Sequence, residues 1–588
     1  MRSRAVIALY FSLTFLVLVS GLREILAATN VPPGPITVDT VWDIVGSPYV
    51  ISSAGLTIDT GATLAIKSGV LVKFDPGDGS QKAVLLVQGK LVVEGTQSEE
   101  AVFTSLRDDS VGGDSNGDGN NTSSAPGDWA GICFADGSRG YINHAVLRYG
   151  GSSDLAMVHV STNASTVSVT DTSLSDTTSR HGAMEIAGGT NPRMVSRNAF
   201  ARNLTGLVLG EGGGEATVED NSFSDSALGA IRMNLSFTGF LSGNTSSGTG
   251  RNGIWVEGGM SSNVTWGEVN MPYIVDCRNS LNVPANVTWT ISPGVVVKFN
   301  STVPCCKAVV SVSGRLQAEG TRQQKIVFTS VRDDTYGGDT NGDGNASQPV
   351  PGDWAGIWFN IGATGSISNA VLRYGGESSS RTAMITIGSN NSSVHIADCL
   401  ISDGIGFGGI RITGSGADTS PTINGNTLVR NSPYGISVES GRPAIIGNTI
   451  SGSPWGVYLS GDSFPLINFN DIENNSIGVY NAPCPNDVPC PARDLDATRN
   501  YWGAPNGPSR DPDRLLKPPY GDQVSWHVNF EPYESRVPDF EALRKQELPE
   551  QAQADAPVSG NTRPPRKTFL SKLVAFFGFL FSYRPFYY

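Results

Sequence analysis

Hydrophobic and polar residues alternate over short stretches along most of the chain, and each stretch ends at a turn residue. The segments Leu56–Phe74 and Ala83–Gly95 show this pattern, because their runs of Val, Leu and Ile are interrupted by glycine. Alternation with a period of two and punctuation by turn residues are typical of β-strands, whereas the 3.6-residue periodicity of an amphipathic helix is absent here. The pattern predicts an all-β protein of many short strands.

Asparagines recur at a fixed interval within this pattern. They are 23 residues apart in the first half and 22 apart in the second, at Asn198, Asn221 and Asn244 and at Asn426, Asn448 and Asn470. A repeat of this length fits one coil of three short strands, and stacked coils form parallel sheets with a strand spacing of about 4.8 Å. Asparagine tolerates the left-handed conformation at such a turn, and stacked Asn side chains can hydrogen-bond to one another. We therefore expect a structural role for them.

A much longer segment is duplicated. Phe103–Gly151 returns as Phe328–Gly376 at a constant offset of 225 residues, although the segment includes a glycine-rich loop. The similarity extends upstream through the two VKF sequences that end at Phe74 and Phe299, and it reaches Trp42 and Trp266 with one residue slipped. A linker under no constraint would not be expected to keep its length in this way.

Each copy of the long segment contains the sequence D-x-N-x-D-G, which opens an EF-hand calcium loop. Ala125 and Val350 stand where an EF-hand has its bidentate Glu, so a complete EF-hand is excluded. Flanking aspartates could supply the missing carboxylate, and oxygen ligands favour calcium over zinc or copper. The predicted calcium ligands are Asp108, Asp109, Asp114, Asn116, Asp118 and Asp128 in the first copy and Asp333, Asp334, Asp339, Asn341, Asp343 and Asp353 in the second. The alternative is a pair of solvated turns.

The motifs together resemble the right-handed parallel β-helix repeat proteins, in particular exported bacterial surface proteins of the pectate-lyase-like solenoid superfamily. The resemblance rests on the GVLVKF and GVVVKF strands, the two FTS-x-RDD-x-x-GGD-x-NGDG units with their PGDWAGI sequences, the AVLRYGG sequences and the closing RNYWGAPNGPS at 499–509. It covers most of residues 36–534 and implies a right-handed helix. The expected fold is a β-helical solenoid of two related units in tandem.

The ends of the chain differ from the repeats. Two arginines precede an apolar run at residues 5–19, and a small-residue cleavage site follows, as in a signal peptide. The tail is aromatic and apolar but too short in clean apolar residues to span a bilayer, so it could touch a membrane surface or dock on protein. We predict a signal peptide at 1–28, a first unit at 29–262, a second unit with extra coils and a cap at 263–537, a flexible linker at 538–568 and the tail at 569–588.

Composition narrows the functional classes. The net charge of −13 argues against nucleic acid as a partner and suits cation binding. Seven cysteines are too few for a disulfide scaffold in a chain of 588 residues. Cys133 and Cys399 read as single core residues, Cys277, Cys305 and Cys306 lie near one another in sequence, and Cys484 and Cys490 could close a small loop.

Aromatic residues at related positions of the last coils offer a possible sugar-binding strip. They are Tyr434, Trp455, Tyr458 and Tyr480. Val457 and Val479 alternate with the last two tyrosines, so we expect these tyrosines to point away from the core. A tyrosine ladder that only stabilises the sheet is the competing explanation.

These observations favour a secreted or cell-surface β-helix protein that is stabilised by calcium and binds polysaccharide or a cell-surface glycan, or mediates adhesion. One alternative is a lyase or epimerase acting on polyuronides, for which only Arg107 and Arg332 stand close enough to the aspartates to serve as a base. A purely structural surface spacer is the other. The recurring carboxylates Asp171, Asp176, Asp398 and Asp403 lie on predicted turns and indicate no catalytic group.

Overall fold

The structure, a computed structural model, describes the part of the chain between Ala28 and Ala542, with gaps at eight short segments and at two longer ones. The described ranges are 28–78, 81–164, 166–212, 215–248, 250–301, 306–377, 382–391, 393–414, 419–482, 495–510 and 520–542. The predicted signal peptide, apart from its last residue, lies outside these ranges. So do most of the predicted linker and all of the predicted tail.

The first half of the chain forms twenty-five short parallel strands within the described ranges. They are β1 (Thr29–Asn30), β2 (Thr40–Trp42), β3 (Tyr49–Ile51), β4 (Leu56–Ile58), β5 (Thr63–Lys67), β6 (Leu71–Phe74), β7 (Val84–Val87), β8 (Lys90–Glu94), β9 (Ala101–Ser105), β10 (Gly131–Phe134), β11 (Arg139–Asn143), β12 (Ala145–Arg148), β13 (Val158–Val160), β14 (Thr166–Thr170), β15 (Ser173–Ser175), β16 (Met184–Ile186), β17 (Arg193–Ser196), β18 (Ala199–Ala201), β19 (Thr205–Leu209), β20 (Ala216–Glu219), β21 (Ser222–Ser224), β22 (Gly229–Asn234), β23 (Phe240–Ser242), β24 (Thr245–Ser247) and β25 (Ile254–Glu257).

The second half continues in the same way. Its strands are β26 (Val264–Trp266), β27 (Tyr273–Asp276), β28 (Leu281–Val283), β29 (Thr288–Ile291), β30 (Val296–Asn300), β31 (Val309–Val312), β32 (Arg315–Glu319), β33 (Ile326–Ser330), β34 (Gly356–Phe359), β35 (Thr364–Ser368), β36 (Ala370–Arg373), β37 (Ile385–Ile387), β38 (Val394–Ala397), β39 (Leu400–Ser402), β40 (Ile410–Ile412), β41 (Thr422–Asn424), β42 (Thr427–Val429), β43 (Tyr434–Gly441), β44 (Ala444–Ile446), β45 (Thr449–Ser451), β46 (Trp455–Ser463), β47 (Leu466–Asn468), β48 (Asp471–Glu473), β49 (Ile477–Asn481), β50 (Leu495–Asp496), β51 (Pro508–Arg510), β52 (Gly521–Val524) and β53 (Val528–Asn529). Two short 3-10 helices span Ile44–Gly46 and Cys277–Asn279.

The strands stack into parallel sheets that run along a solenoid. Sheet A contains every third strand from β3 to β24, with β1 at its edge, and sheet C contains every third strand from β2 to β23. Sheet B has sixteen strands and continues from β4 to β48 through both halves. Sheet D begins at β26 and sheet E at β28, and these two sheets accompany sheet B in the second half. The predicted all-β solenoid is therefore confirmed, and it is a parallel β-helix of about sixteen turns.

The two halves are related by a shift of one sheet around the solenoid. β25 and the next strand of sheet B, β27, are separated by β26 alone, whereas elsewhere two strands lie between successive strands of sheet B. As a result β30, which matches β6 of sheet A in sequence, belongs to sheet B. The loop after β9 leaves between sheets A and B, while its copy after β33 leaves between sheets B and E. The division into two units stays a prediction, because sheet B crosses the expected boundary without interruption.

Alternate residues of the strands fill the interior with aliphatic and aromatic side chains. Phe74 stacks on Trp129 with ring centroids 4.2 Å apart, and the copies Phe299 and Trp354 stack at 4.1 Å. Each indole then donates a hydrogen bond of 2.9 Å to the carbonyl of Arg148 or Arg373. These contacts bring the end of each long loop back onto the coil below the one from which the loop leaves.

The recurring asparagines form inter-coil ladders, as predicted. The Asn448 side chain donates to Oδ1 of Asn470 at 3.0 Å and accepts from Asn426 at the same distance. The predicted backbone conformation was wrong, however, because the left-handed residue is the one before the asparagine. Asp220 (φ 54°) precedes Asn221 and Phe469 (φ 57°) precedes Asn470. The asparagines thus cap the turns from inside while their neighbours make the bend.

The cysteines divide into three groups. Cys277 and Cys306 form a disulfide with a Cα separation of 5.7 Å. Cys399 is buried in the core, as predicted, but Cys133 is wrongly predicted, since it is partly exposed on the outer face of sheet B. Cys305, Cys484 and Cys490 lie outside the described residues.

The solenoid ends in a small cap near the strands β50 to β53. Asp522 of β52 accepts hydrogen bonds from the backbone and side-chain amides of Asn475, and burial raises its pKa to about 7. The compact unit that contains all the coils ends at Pro538. None of the described helices has the length and apolar character needed to cross a membrane.

Candidate metal centre

Each long loop is held to the solenoid by a buried lysine on the strand of the preceding coil that pairs with the strand before the loop. Lys73 lies on β6 and Lys298 on β30, and neither side chain is exposed to solvent. The Lys73 ammonium donates to the carbonyls of Asp108 and Gly113 at 2.9 and 2.8 Å, and the Lys298 ammonium donates to the carbonyl of Gly338. The loops therefore fold back over the outer faces of the strands that precede them.

The two lysines were missed in the sequence, although each interrupts an otherwise apolar VKF strand. Burial lowers the pKa of Lys298 to about 8, against the opposing effect of the nearby carboxylates Asp334, Asp333 and Asp339. A charged group buried in this way needs partners of opposite charge or several acceptors. The sequence signal that could have identified them is the lysine that stands at an apolar strand position in both copies.

The first of the predicted ligands in each copy fastens the start of the loop. Asp108 Oδ2 accepts a hydrogen bond of 2.8 Å from Nε of Arg148, and Thr104 and Ser110 donate their hydroxyls to the same carboxylate. In the second copy Asp333 faces Arg373 at 3.7 Å. Arg148 and Arg373 therefore each pair with an aspartate at the start of a loop.

The last of the predicted ligands fastens the end of the loop. Asp128 accepts the Ser105 hydroxyl at 2.6 Å and the backbone amide of Ala125 at 3.0 Å. Asp353 accepts the equivalent bonds from Ser330 and Val350 at 2.7 and 3.1 Å. The carboxylates at both ends of the loop are therefore engaged by protein donors.

The three remaining aspartates of each copy converge. Ligand oxygens of Asp109, Asp114 and Asp118 lie within 4.8 Å of one another, and so do those of Asp334, Asp339 and Asp343. We call these groups the first and second acidic triads. The central carboxylate of the first triad is held in position by backbone amides of the D-x-N-x-D-G sequence. Gly117 and Gly119 donate hydrogen bonds to Asp114 at 2.7 and 2.8 Å.

The amide positions of the predicted site lie beside the triads. The Asn116 side chain donates to Asp118 at 2.9 Å, and Asn341 donates to Asp343 at 2.8 Å. Thr122 and Ser347 add hydroxyl donors to the same carboxylates. Of the six residues predicted in each copy, the structure brings three carboxylates to one point with an asparagine next to them.

The electrostatics of the triads favour a cation. Asp109, Asp118 and Asp334 each have one buried carboxylate oxygen with no hydrogen-bond partner. Burial raises the pKa of Asp334, and the negative charges of Asp339 and Asp343 raise it further, although the positive charge of Lys298 opposes the shift. Hydrogen bonds from Gly119 and other backbone amides lower the pKa of Asp114. Carboxylates crowded in this way repel one another, and a divalent cation relieves that repulsion.

The two arginines considered as a catalytic base are paired with other groups. Arg332 donates to Asp353 at 3.0 Å, and Arg107 lies 3.6 Å from Asp128. Both partners fasten the loop ends and are not members of the triads. Each guanidinium is thus directed at a loop-end carboxylate and not at the triads, so neither contact favours base catalysis there.

The predicted aromatic strip lies on the outer face of sheet E and forms two columns. Tyr458 pairs in register with Tyr480, while Tyr434 pairs with Trp455. Val457 and Val479 are fully buried, so the predicted outward direction of Tyr458 and Tyr480 is confirmed.

The rings of the strip stack on one another. The Tyr458 ring lies between those of Tyr434 and Tyr480, at centroid distances of 4.5 and 5.8 Å. Both faces of Tyr458 are therefore covered by its neighbours. Trp455 is tilted by 44° from Tyr434 and stands edge-on to Tyr458, so it is the ring of this group least covered by stacking.

Part of the chain matches a known protein family. Residues 321–487 match the family described as periplasmic copper-binding protein (NosD), and this segment includes the second acidic triad and the coils after it. That family is one of right-handed parallel β-helix proteins, so the resemblance to this class is confirmed. The match covers less than a third of the chain. No curated protein and no solved structure matches the chain.

The described residues of the matched segment do not fit copper. Its histidine, His395, contacts the Thr422 hydroxyl at 2.6 Å, and the buried Cys399 thiol donates to the Ala397 carbonyl at 3.1 Å. Burial raises the pKa of Cys399 to about 12, so this sulfur stays protonated. Copper prefers nitrogen and sulfur donors, whereas the ligands that converge in this segment are three carboxylates.

Proposed function

We propose that this protein is an exported β-helix protein of the cell envelope or cell surface, in which each acidic triad binds one calcium ion and the outer faces bind polysaccharide. The observation that carries the calcium assignment is the convergence of three aspartates at equivalent places in two copies. Carboxylate oxygens with no protein donor lie in both triads. Calcium accepts six to eight oxygen ligands, so water or backbone carbonyls would complete each site.

The calcium ions act mainly as structural clamps. Each triad belongs to a loop that a buried lysine, two aspartates and a stacked tryptophan already hold on the solenoid. An ion that joins three carboxylates removes their mutual repulsion and fixes the middle of the loop. Export agrees with this role because calcium outside cells reaches concentrations that fill weak sites, and the matched family is a periplasmic one.

The second clamp lies over the junction between the two halves. Val331, at the start of the second loop, packs with Trp255 and Ile274 of sheet B in a small apolar cluster outside the core. Trp255, Ile274 and Lys298 are neighbours in the strand register, so they form one outward row beneath the loop. Calcium at the second triad would therefore stiffen the place where the sheets change.

Polysaccharide binding is the proposed biological role, and Trp455 is its best-placed aromatic residue. Sugar rings bind against exposed aromatic faces, and the Trp455 indole is not sandwiched between other rings. Tyr434, Tyr458 and Tyr480 would then support the tryptophan and offer hydroxyls at their edges. The triads add a second route, since calcium with open coordination positions can bridge to a carboxylate of an acidic glycan.

Calorimetric unfolding of the full chain with calcium and with chelator tests the calcium assignment. We expect chelation to lower the melting temperature and calcium to restore it. An unchanged melting temperature under both conditions would show that the triads hold no ion that matters for stability.

A panel of acidic and neutral polysaccharides tests the binding role. Retention of the chain on one polymer, with loss on replacing Trp455 by Ala and no shortening of the polymer, would support it. Replacing Phe464 by Ala provides an aromatic control on the same region. Shortening of any polymer in the presence of calcium would instead favour a lyase, and equal retention of wild type and both variants would remove Trp455 from the proposal.

A further inference from the structure

Three residues that can bind metals lie outside the acidic loops, on the outer face of sheet B in the first half. His159 of β13 and Glu185 of β16 are register partners on adjacent strands. Their neighbours along the strands, such as Val158 and Ile186, point into the core. His181 precedes β16 and stands four residues before Glu185. The register thus places two imidazoles and one carboxylate side by side.

The carboxylate lies between the two imidazoles. His159 Nδ1 is 2.9 Å from Oε2 of Glu185, and His181 Nδ1 is 3.3 Å from Oε1. Burial alone would raise the pKa of Glu185, but the hydrogen bonds from His159 and His181 bring it below its ordinary value. The glutamate is therefore ionised at neutral pH and holds both rings near it.

We propose that His159, His181 and Glu185 form a binding site for a divalent transition metal ion of the zinc type, separate from the calcium sites. Two histidines and one glutamate with an open fourth position are an established ligand set for zinc. The ligand atoms of a tetrahedral zinc site are about 3.3 Å apart, given bonds of about 2.0–2.1 Å. The His181–Glu185 nitrogen–oxygen distance of 3.3 Å equals that value, and the His159–Glu185 distance of 2.9 Å is shorter by less than half an ångström.

Metal binding requires a movement of His181. Among the described residues, the acidic triads are the groups of three or more ligands whose atoms already lie within 4.8 Å of one another. The His181 side chain is 43% exposed, compared with 21% for His159 and 17% for Glu185. His181 is thus free to turn toward the ion, while its two partners stay in place on their strands. The metal takes the position between the rings that hydrogen bonds now occupy.

The two classes of site should select different ions. The triads offer only oxygen and suit calcium, whereas imidazole nitrogen suits zinc and its neighbours. A metal-bound imidazole carries no proton at the coordinating nitrogen, so binding at this site should weaken in acid. Calcium in excess should leave zinc binding at this site unchanged.

Zinc binding to the full chain in excess calcium, followed by competition with a chromophoric chelator, tests the proposal. Cobalt(II) in place of zinc reports the coordination geometry through its visible absorption. We expect one ion per chain in this competition, and replacing His181 by Ala or Glu185 by Gln should weaken binding by about tenfold or more. The His181→Ala variant keeps the strands intact because the side chain is half exposed.

A matched control is His395→Ala, because this histidine also lies on an outer strand face but contacts a threonine. It should leave the affinity unchanged. The proposal would be overturned if no zinc bound in excess calcium. It would also be overturned if His181→Ala, Glu185→Gln and His395→Ala changed the zinc affinity equally. Near-wild-type circular dichroism and melting temperature of the variants would show that a loss is not a loss of fold.

Discussion

Asn252 donates a hydrogen bond from its side-chain amide to the backbone carbonyl of Asp339, and the two atoms are 2.9 Å apart. Asn252 stands just before β25, the last strand of sheet B in the first half, while Asp339 belongs to the second acidic triad. The bond therefore joins the end of one half to the loop of the other. It lies at the place where β26 replaces the usual two strands of a coil.

Replacing Asn252 by Ala should loosen the junction between the halves. Its amide is nearly buried and also donates to the Gly248 carbonyl at 3.2 Å, so the loss should cost about 1–2 kcal/mol locally. Hydrogen exchange should become faster in β25 and in the second loop. Asn143→Ala, which removes a bond of 2.7 Å to Thr170 elsewhere, is the control. Equal protection of the junction in both variants would show that the Asn252–Asp339 hydrogen bond does not hold the two halves together.

The two calcium sites should stabilise different parts of the chain. Asp118→Asn should weaken the ion in the first triad, and Asp343→Asn should weaken the ion in the second. An ion at a concentration about one hundred times its dissociation constant stabilises a fold by about 2.7 kcal/mol. Each variant should therefore lose part of the calcium-dependent rise in melting temperature.

Hydrogen exchange separates the two calcium variants. With calcium present, the Asp343→Asn variant should be less protected than the wild type near β25 and β27, and Asp118→Asn should be less protected near β3 and β6. If both variants lose protection in the same segments, the loops do not act as separate clamps.

The asparagine ladder should contribute strongly to stability. Asn448 is fully buried, and its Oδ1 accepts from both the backbone and the side-chain amide of Asn426. Replacing Asn448 by Ala leaves these donors without an acceptor, which should lower the free energy of unfolding by roughly 2–4 kcal/mol. Urea denaturation measures the change, and Asn424→Ala, at a partly exposed position on an adjacent strand, should cost less. A similar decrease in the free energy of unfolding in both variants would show that the asparagine ladder contributes no more to stability than an ordinary polar contact.

The cap should make stability depend on pH through Asp522. Its pKa is about 7 in the folded chain and near 3.8 when unfolded, so the native state holds more protons between these values. Stability therefore falls as pH rises from about 4 to 7. Asp522→Asn should remove this slope and gain roughly 2 kcal/mol relative to the wild type at pH 8, with little gain near pH 4.

Asp496 provides a control of opposite sign in the same cap. Burial alone would raise its pKa, but hydrogen bonds from Thr498 and Asn468 lower it below the ordinary value. Its contribution to stability is present at neutral pH and is lost in acid. Asp496→Asn should therefore be less stable than the wild type at pH 7. Thermal melting between pH 4 and 8 compares the three proteins, and parallel curves for all of them would contradict the assignment.

The repeat pattern predicted the architecture because in a solenoid each coil contacts mainly its neighbours. A sequence period then translates directly into strands, inward side chains and the ladder of Asn426, Asn448 and Asn470. The repeat pattern did not predict the left-handed backbone conformation of the residues before the asparagines. They include Arg197 and Phe469, whose residue types seldom adopt that conformation and give no signal of it.

The candidate site could be predicted only in part. The spacing of Asp114 and Asp118 fixed two members of the first triad, but the sequence does not show which flanking carboxylates turn away. Arg148 follows Asp108 by forty residues, and their contact depends on two strands that lie side by side in sheet A. The pairing of His159 with Glu185 likewise depends on strand register, which no local motif records.

The coil between β25 and β27 contains one strand where other coils contain two, and the two copies of the long loop lie on either side of it. The second loop contains nearly the same residues as the first, but it leaves the rod from a different side. The offset of 225 residues places each copied strand one sheet further around the solenoid, although the coils themselves are alike. A duplicated segment in a solenoid can thus present two copies of the same loop in two different directions.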